Sequence, residues 1–366
     1  MISYIIRKIL YGLAVLWGVV TLVFFLFNIV PGDPVRMMLG QRADESDVQA
    51  IREELGLNKN IFMQYVAYLN DLMPISFYKN STDLKPYENN DSNSNAPYSN
   101  FKHYSIITNV ANVDIVLKTP YLRYSYQSKR SVGTILSEAF PNTMILASVA
   151  ITFALILGVF IGVLTAVYNT EFLNKLTLFI TTIGMSLPSF FAAILIAWLF
   201  GYVWESFTGL SMTGNLYSVD DYGNGAYLDI KNLILPAFTL GLRPLAVVVE
   251  LTRTSLLETL SMDYIRTARA KGLKKWRVVT VHALRNAMTP VVTAISGWFA
   301  SLMAGAVFVE YVFDWKGIGV IIVDALDTFD FPVIMGAVLL IGFMLVIINI
   351  IVDIIYALLD PRIRIF

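Results

Sequence analysis

Asp263-Tyr264-Ile265-Arg266-Thr267-Ala268-Arg269-Ala270-Lys271-Gly272-Leu273 is short, basic and helical in pattern, and it lies between two apolar runs, Leu233–Leu257 and Ala287–Val309. Ile265, Ala268 and Gly272 fall on one face of the predicted helix. Gly272 suits its end, where a left-handed backbone costs glycine little. A second basic amphipathic stretch follows, with Trp276, Val279, Val281, His282 and Leu284 interleaved with Arg277 and Arg285. Each flanking run has the roughly 20 apolar residues that a helix needs to cross the hydrocarbon of a bilayer. The basic stretch is therefore a connection between membrane spans.

Working outward, four more runs qualify as spans: Ile9–Val30, Thr143–Tyr168, Leu176–Trp204 and Pro332–Leu359. The whole chain agrees with them. Of 366 residues, 56% are hydrophobic and 15% charged, whereas a soluble domain carries about a quarter charged residues. The first run follows Arg7 and Lys8 but is too long for a signal sequence, and it ends at Pro31-Gly32-Asp33 without a small-residue cleavage site.

Orientation follows from the basic residues. The connection Arg253–Asn286 holds Arg253, Arg266, Arg269, Lys271, Lys274, Lys275, Arg277 and Arg285, against Glu258 and Asp263. The connections on the other side are acidic, with Glu205, Asp220, Asp221 and Asp229 in one and Asp314, Asp324, Asp327 and Asp330 in the other. Both termini carry basic residues, Arg7 and Lys8 at one end, Arg362 and Arg364 at the other. The expected arrangement has both termini and the basic connection in the cytoplasm, with segment 31–142 outside. In that segment Ser46-Asp47-Val48-Gln49 has the form of a capping box. Ile61–Leu72 reads as a helix with Phe62, Tyr65, Val66 and Leu69 on one face. From Pro74 to Tyr104 the composition turns to Asn, Ser, Asp, Tyr and Pro, the signature of a loop or a partly disordered insertion.

What is missing narrows the function. The chain has no G-x-x-x-x-G-K-[ST] phosphate loop, no H-E-x-x-H and no G-x-S-x-G. It has no cysteine, and its only histidines are His103 and His282, so no histidine metal cluster is expected. Net charge is zero, with 27 basic and 27 acidic residues, and no bulk field advertises nucleic acid. Few ionisable residues lie deep in the spans, and the candidates are Arg243, Glu250 and Asp353. Arg243 and Glu250 are seven apart, hence on one helix face. They read either as an intramembrane pair, with each other or with a partner helix, or as part of a substrate path. Pro188, with Gly184 before it, predicts a kink in the third span, where backbone carbonyls could face a cavity. Pro141 and Pro236 read as helix-start prolines.

Arg266-Thr267-Ala268-Arg269-Ala270-Lys271-Gly272, followed ten residues on by His282-Ala283-Leu284, resembles the cytoplasmic loop of binding-protein-dependent ABC importer permeases, in the wording of their dipeptide/oligopeptide/nickel branch. The general pattern E-A-A-x-x-x-G-x(9)-I-x-L-P is met at Ala268, Gly272 and Leu284, with Thr267 a near match. Arg266 stands for its leading Glu, His282 for its Ile and Arg285 for its Pro. Pro31-Gly32-Asp33-Pro34, Arg52–Leu57, Gly317-Ile318-Gly319 and Asp360-Pro361-Arg362-Ile363-Arg364 fit the same branch, and an insertion at about 74–121 is longer than it usually carries.

The resemblance implies an all-α, six-helix permease of the type I importer kind. Its parts would be an N-terminal span (1–30), an external segment (31–142) and a five-helix core (143–366) with a coupling loop at 258–286. It implies a non-catalytic subunit of an ATP-driven inner-membrane importer, with di- or oligopeptides as the cargo. The expected partners are a second permease subunit, two cytoplasmic ATPase subunits that carry the ATP and Mg, and an external solute-binding protein. The coupling loop would act through Arg266, Thr267, Ala268, Arg269, Ala270, Lys271, Gly272, His282 and Leu284. Ala268 and Gly272 would give close approach to the ATPase, and Arg266, Arg269 and Lys271 charge contacts. The rivals are a stand-alone secondary transporter, which calls for inverted repeats and paired intramembrane charges, and a membrane scaffold.

Overall fold

The computed structural model describes residues 2–29, 44–54, 58–79, 104–110, 113–219 and 225–359. Pro31–Pro34, Leu55–Leu57 and the closing segment from Asp360 lie outside the described residues, as does the side chain of Asp353. In chain order the elements are α1 (Ile2–Ile29), α2 (Glu45–Glu54), α3 (Ile61–Leu72), β1 (Ile75–Lys79), β2 (Tyr104–Val110), β3 (Val113–Lys118), α4 (Val132–Tyr168), α5 (Glu171–Ser186) and α6 (Ser189–Trp198). A wide turn, Leu199–Val203, leads to α7 (Glu205–Thr208), β4 (Tyr217–Val219), β5 (Ala226–Leu228), α8 (Lys231–Leu260), α9 (Asp263–Ala270) and α10 (Lys275–Arg277). A second wide turn, Val278–Ala283, opens α11 (Leu284–Gly305), which is followed by α12 (Val307–Val312), α13 (Ile318–Asp327) and α14 (Phe331–Leu359).

Among the described residues, five helical segments are long and apolar enough to cross a membrane, and the α5–α6 pair makes a sixth if it counts as one span. The pair is bent by 109°. The sequence explains the break. The ring of Pro188 disfavours helical backbone at the residue before it, and Leu187 is extended (φ −72°, ψ 129°), as is Pro188 itself (φ −60°, ψ 138°). The kink expected at Pro188 is thus a full break. Two other proline readings need correction. Pro141 and Pro236 stand inside α4 and α8, because both helices start earlier than their apolar runs, at Val132 and Lys231.

The chain divides into two units. The first comprises Met1–Gly12, Ala139–Val323 and Ile341–Phe366. Here α4 and α8 approach closely because α4 presents Gly158 and Gly162 one turn apart. A Cβ built on Gly162 would sit 2.6 Å from Thr252 Cβ, and one on Gly158 2.7 Å from Val248 Cγ1. Small residues at this spacing let membrane helices pack backbone to backbone. Leu146, Ala147, Ala150, Ala193, Leu240, Met303 and Phe313 form the main core. The Gly317–Gly319 segment closes on the fully buried Glu310, whose Oε2 accepts from the Gly319 amide at 2.6 Å. Trp315, also fully buried, donates through Nε1 to the Asn142 carbonyl at 3.0 Å.

The second unit comprises Leu13–Glu138 and Asp324–Leu340. Part of the expected insertion is ordered sheet. Its three antiparallel strands run in the order β1-β3-β2, with Ile75 opposite Leu117 and Tyr104 opposite Lys118. α3 has the expected bounds, but its buried residues are Tyr65, Tyr68 and Asp71, while Phe62 and Val66 are exposed. The aromatic rings decide this: Phe24 takes Tyr65 and Tyr68 against itself, with ring centroids 5.3 and 5.5 Å away. α2 begins at Glu45, so Ser46 lies inside its first turn, and Asp44 accepts the first helical bond, from Val48. Asp71 pairs with Arg123 at 3.1 Å. Asp330 gathers the loop before α4, accepting from the Ser125 hydroxyl and from the amides of Tyr126 and Gln127.

Candidate coupling surface

α9 is eight residues long, too short to be stable alone in water, so its order depends on what its inner face buries. Ile265 is fully buried and Ala268 nearly so. They pack with Val163 and Ala166 of α4, Leu256 of α8, Val278, Val279 and Ala283 of the wide turn, and Ala287 of α11. Asp263 at the first position favours the positive end of the helix, and Arg269 in the last turn favours the negative end. The helix stops at Gly272, whose φ of +77° is the left-handed backbone its position predicted, and whose amide donates to the Arg269 carbonyl at 2.9 Å.

Further ties hold this corner. Lys275 Nζ donates to the Val167 carbonyl at 3.1 Å, satisfying the C-terminus of α4. Tyr264 Oη accepts from Asn286 Nδ2 at 2.8 Å, tying α9 to α11. Arg253 Nη2 donates to Asn174 Oδ1 at 3.0 Å, tying α8 to α5. Arg266 reaches Asp263 at 3.3 Å, but both side chains are largely exposed and that pair contributes little.

The surface left outward is basic with apolar points. Arg266, Thr267, Arg269, Ala270, Lys271 and Gly272 are exposed, as are Lys274, Arg277 and Arg285. Among them stand Met262, Tyr264, Trp276 and Val281, each at least 39% exposed. One expectation changes here. Ala268 faces inward, so the close approach it permits is to α4 and α8 of its own chain. Trp276 and Val281 face out, because the wide turn buries Val278, Val279 and Ala283 instead. His282 and Leu284 are half-buried, with Leu284 against the α9 core. The turn's inward residues were legible only as a run of small and β-branched side chains, without a clean helical period.

Arg243 and Glu250 are both exposed on α8, while Pro244, Leu245, Ala246, Val248 and Val249 between them are buried. Seven residues separate them by about 10.5 Å along the axis, and among the described residues they do not pair with each other. That excludes the internal version of the expected pair. Arg243 lines a cavity of about 80 Å³ beside the α5–α6 break, together with Gly184, Leu187, Ser189, Thr239, Trp298 and Ser301. Pro188 is exposed at that break. A charge facing hydrocarbon costs roughly 2.5–3.5 kcal/mol at mid-membrane, so this face of α8 belongs against protein or water.

Residues 158–365 match the model of the binding-protein-dependent transport system inner membrane component, and residues 1–84 match that of the N-terminal part of such membrane components. The chain belongs to this permease family. It is similar to the dipeptide transport system permease protein of Escherichia coli strain K12, at 32% identity over all of this chain and 99% of that one. It is similar to the same extent to the di/tripeptide transport system permease protein of Pseudomonas aeruginosa strain UCBPP-PA14, and at 31% identity to the glutathione transport system permease protein of E. coli O6:H1, each covered to 99%. In fold it is similar to an inward-facing structure of the MetNI methionine ABC transporter, with a TM-score of 0.51 and 17% identity over 62% of this chain and 97% of that one. As a member of the family it is a multi-pass inner-membrane protein and a transport subunit of an importer, not its catalytic one.

Proposed function

We propose that this permease forms half of the translocation path of an ATP-driven importer of di- and oligopeptides and docks its ATPase through α9. The observation that carries the docking reading is the two-faced construction of α9. Its inner face is buried to completion at Ile265, while its outer face presents Arg266 and Arg269 within a surface that adds the exposed cations Lys271, Lys274, Lys275, Arg277 and Arg285 and the exposed side chains of Met262, Tyr264, Trp276 and Val281. Charged rims around apolar and aromatic anchors are what protein interfaces use. Arg266, Arg269 and Lys271 would make the charge contacts, and Gly272 would give the close approach, since a Cβ there meets nothing of this chain within 4 Å. Motion of an ATPase dimer would pass through Ile265 and Ala268 into α4, α8 and α11 as rigid-body tilt.

On this reading a second, different permease subunit completes the path, two ATPase subunits bind the ATP and Mg, and an external binding protein delivers cargo. No cofactor is assigned to this chain. Both termini and 258–286 lie in the cytoplasm, and 31–142 lies outside. The peptide cargo is supported by the names of the relatives above. The test is ATP-dependent uptake of a labelled dipeptide by proteoliposomes holding the whole complex. Uptake that needs both the binding protein and ATP is the expected result. Uptake by this chain alone, driven by an ion gradient, would overturn the reading in favour of a secondary transporter.

A further inference from the structure

α8 carries two full charges on a face that its own chain leaves open. Along the stripe Arg243, Val247, Glu250 and Thr254, one position is half-buried and the other three are exposed, whereas the residues on the opposite side are buried against α4, α5 and α11. Among the described residues neither charge has an ion-pair partner. Hydrocarbon would penalise both, so the stripe faces a polar medium or a matching polar surface. Beside Arg243 the cavity of about 80 Å³ at the α5–α6 break admits a group no larger than a carboxylate with a water or two, and Ser189 and Ser301 line it with hydroxyls. The guanidinium fork matches a carboxylate in two parallel hydrogen bonds. Glu250 can accept from an ammonium group in the same way. Extended peptide covers about 3.3–3.6 Å per residue, so three residues cover the roughly 10.5 Å that seven helical residues rise.

We propose that this stripe recognises short zwitterionic peptides in transit, with Arg243 taking the terminal carboxylate and Glu250 the terminal ammonium. The proposal rests on the peptide-import reading and adds a selection step inside the membrane. A tripeptide spans both charges at once, and a dipeptide engages them in turn. Two weak sites in series suit passage, because a single tight one would hold the cargo.

The test uses the intact complex in proteoliposomes and three probes, tri-alanine, its C-terminal amide and its N-acetyl form, each at a concentration that saturates the binding protein. Import by wild type is compared with Arg243→Gln and Glu250→Gln. Loss of one charge-assisted contact is expected to slow tri-alanine about tenfold. Arg243→Gln should bring the acid-to-amide ratio of rates towards one while leaving discrimination against the N-acetyl probe in place, and Glu250→Gln should do the reverse. Variants that keep both wild-type ratios overturn the proposal while the import reading stands. Variants that no longer co-purify with the second permease subunit, yet keep both ratios in the complexes that do form, assign the charges to that interface and also overturn it. A wild-type complex with loaded-binding-protein-stimulated ATP hydrolysis that imports none of the three probes overturns the peptide reading itself.

Discussion

Replacing Ile265 with alanine removes the one large buried side chain of α9. Three carbons are lost from a fully buried site, at about 0.8 kcal/mol each in transfer free energy. Ala268 is already small, and the surrounding Val278, Val279 and Ala283 are short, so the site collapses poorly and the cavity adds to the loss. A total of about 3 kcal/mol sits within the range of large-to-small core changes. At 1.4 kcal/mol per factor of ten, that raises the undocked population of α9 by roughly a hundredfold. Hydrogen exchange of the amides in 263–270 should accelerate by the same factor, and the number of solutes moved per ATP hydrolysed should fall while membrane insertion is unaffected. Arg266→Ala, at an exposed position, is the control and should leave exchange unchanged. Unchanged exchange and an unchanged transport-to-hydrolysis ratio in Ile265→Ala would refute the claim that burial of this side chain transmits the motion.

Three further outcomes follow from the packing. Gly162→Val should destabilise the protein by about 1–3 kcal/mol through overpacking, because a Cβ there lies 2.9 Å from the Val249 carbonyl as well as 2.6 Å from Thr252 Cβ; Gly297→Ala, where nothing lies within 4 Å, should be neutral in the same thermal melts. Gly319→Ala should cost a similar amount, since its Cβ would stand 2.5 Å from the Val307 Cα and backbone gives way poorly. Burial pushes the Lys118 ammonium down to about 8, with Asp71 opposing. The unfolded state therefore holds more protons between that value and the ordinary lysine range, and the stability of the β1–β3 sheet should rise with pH through that window. Protease resistance of the external segment should increase from pH 8 to pH 10, and Lys118→Met should flatten the dependence; resistance that falls over that range in wild type would contradict the assignment.

Much of the architecture was legible because the solvent is lipid. Apolar length alone places the spans, and the charge of one loop marks α9, down to the left-handed backbone at Gly272. The misses share a cause, which is that periodicity names a face but not what lies opposite it. Phe62 and Val66 share the apolar character of Tyr65, yet Phe24 selects the tyrosines. Ala268 suited a partner's groove as well as its own core, and the residues around it settle that it turns inward. The Gly158–Gly162 spacing was a readable signal for close helix packing that the apolar run obscured. Pro188 announced a kink, but a 109° break needs Leu187 extended as well. The sheet at 75–118 was hidden by the polar stretch that separates β1 from its partner strand.

The claim that the outer face of α9 seats the ATPase is open to a direct measurement, because the chain has no cysteine of its own. A single cysteine at exposed Ala270, carrying a short photo-activated cross-linker, is compared with one at exposed Leu228 in β5. In membranes holding the whole complex, Ala270→Cys should form an adduct with the ATPase subunit and Leu228→Cys should not. An adduct from Leu228→Cys with none from Ala270→Cys, in the presence and absence of ATP, would contradict both the docking surface and the orientation of the chain.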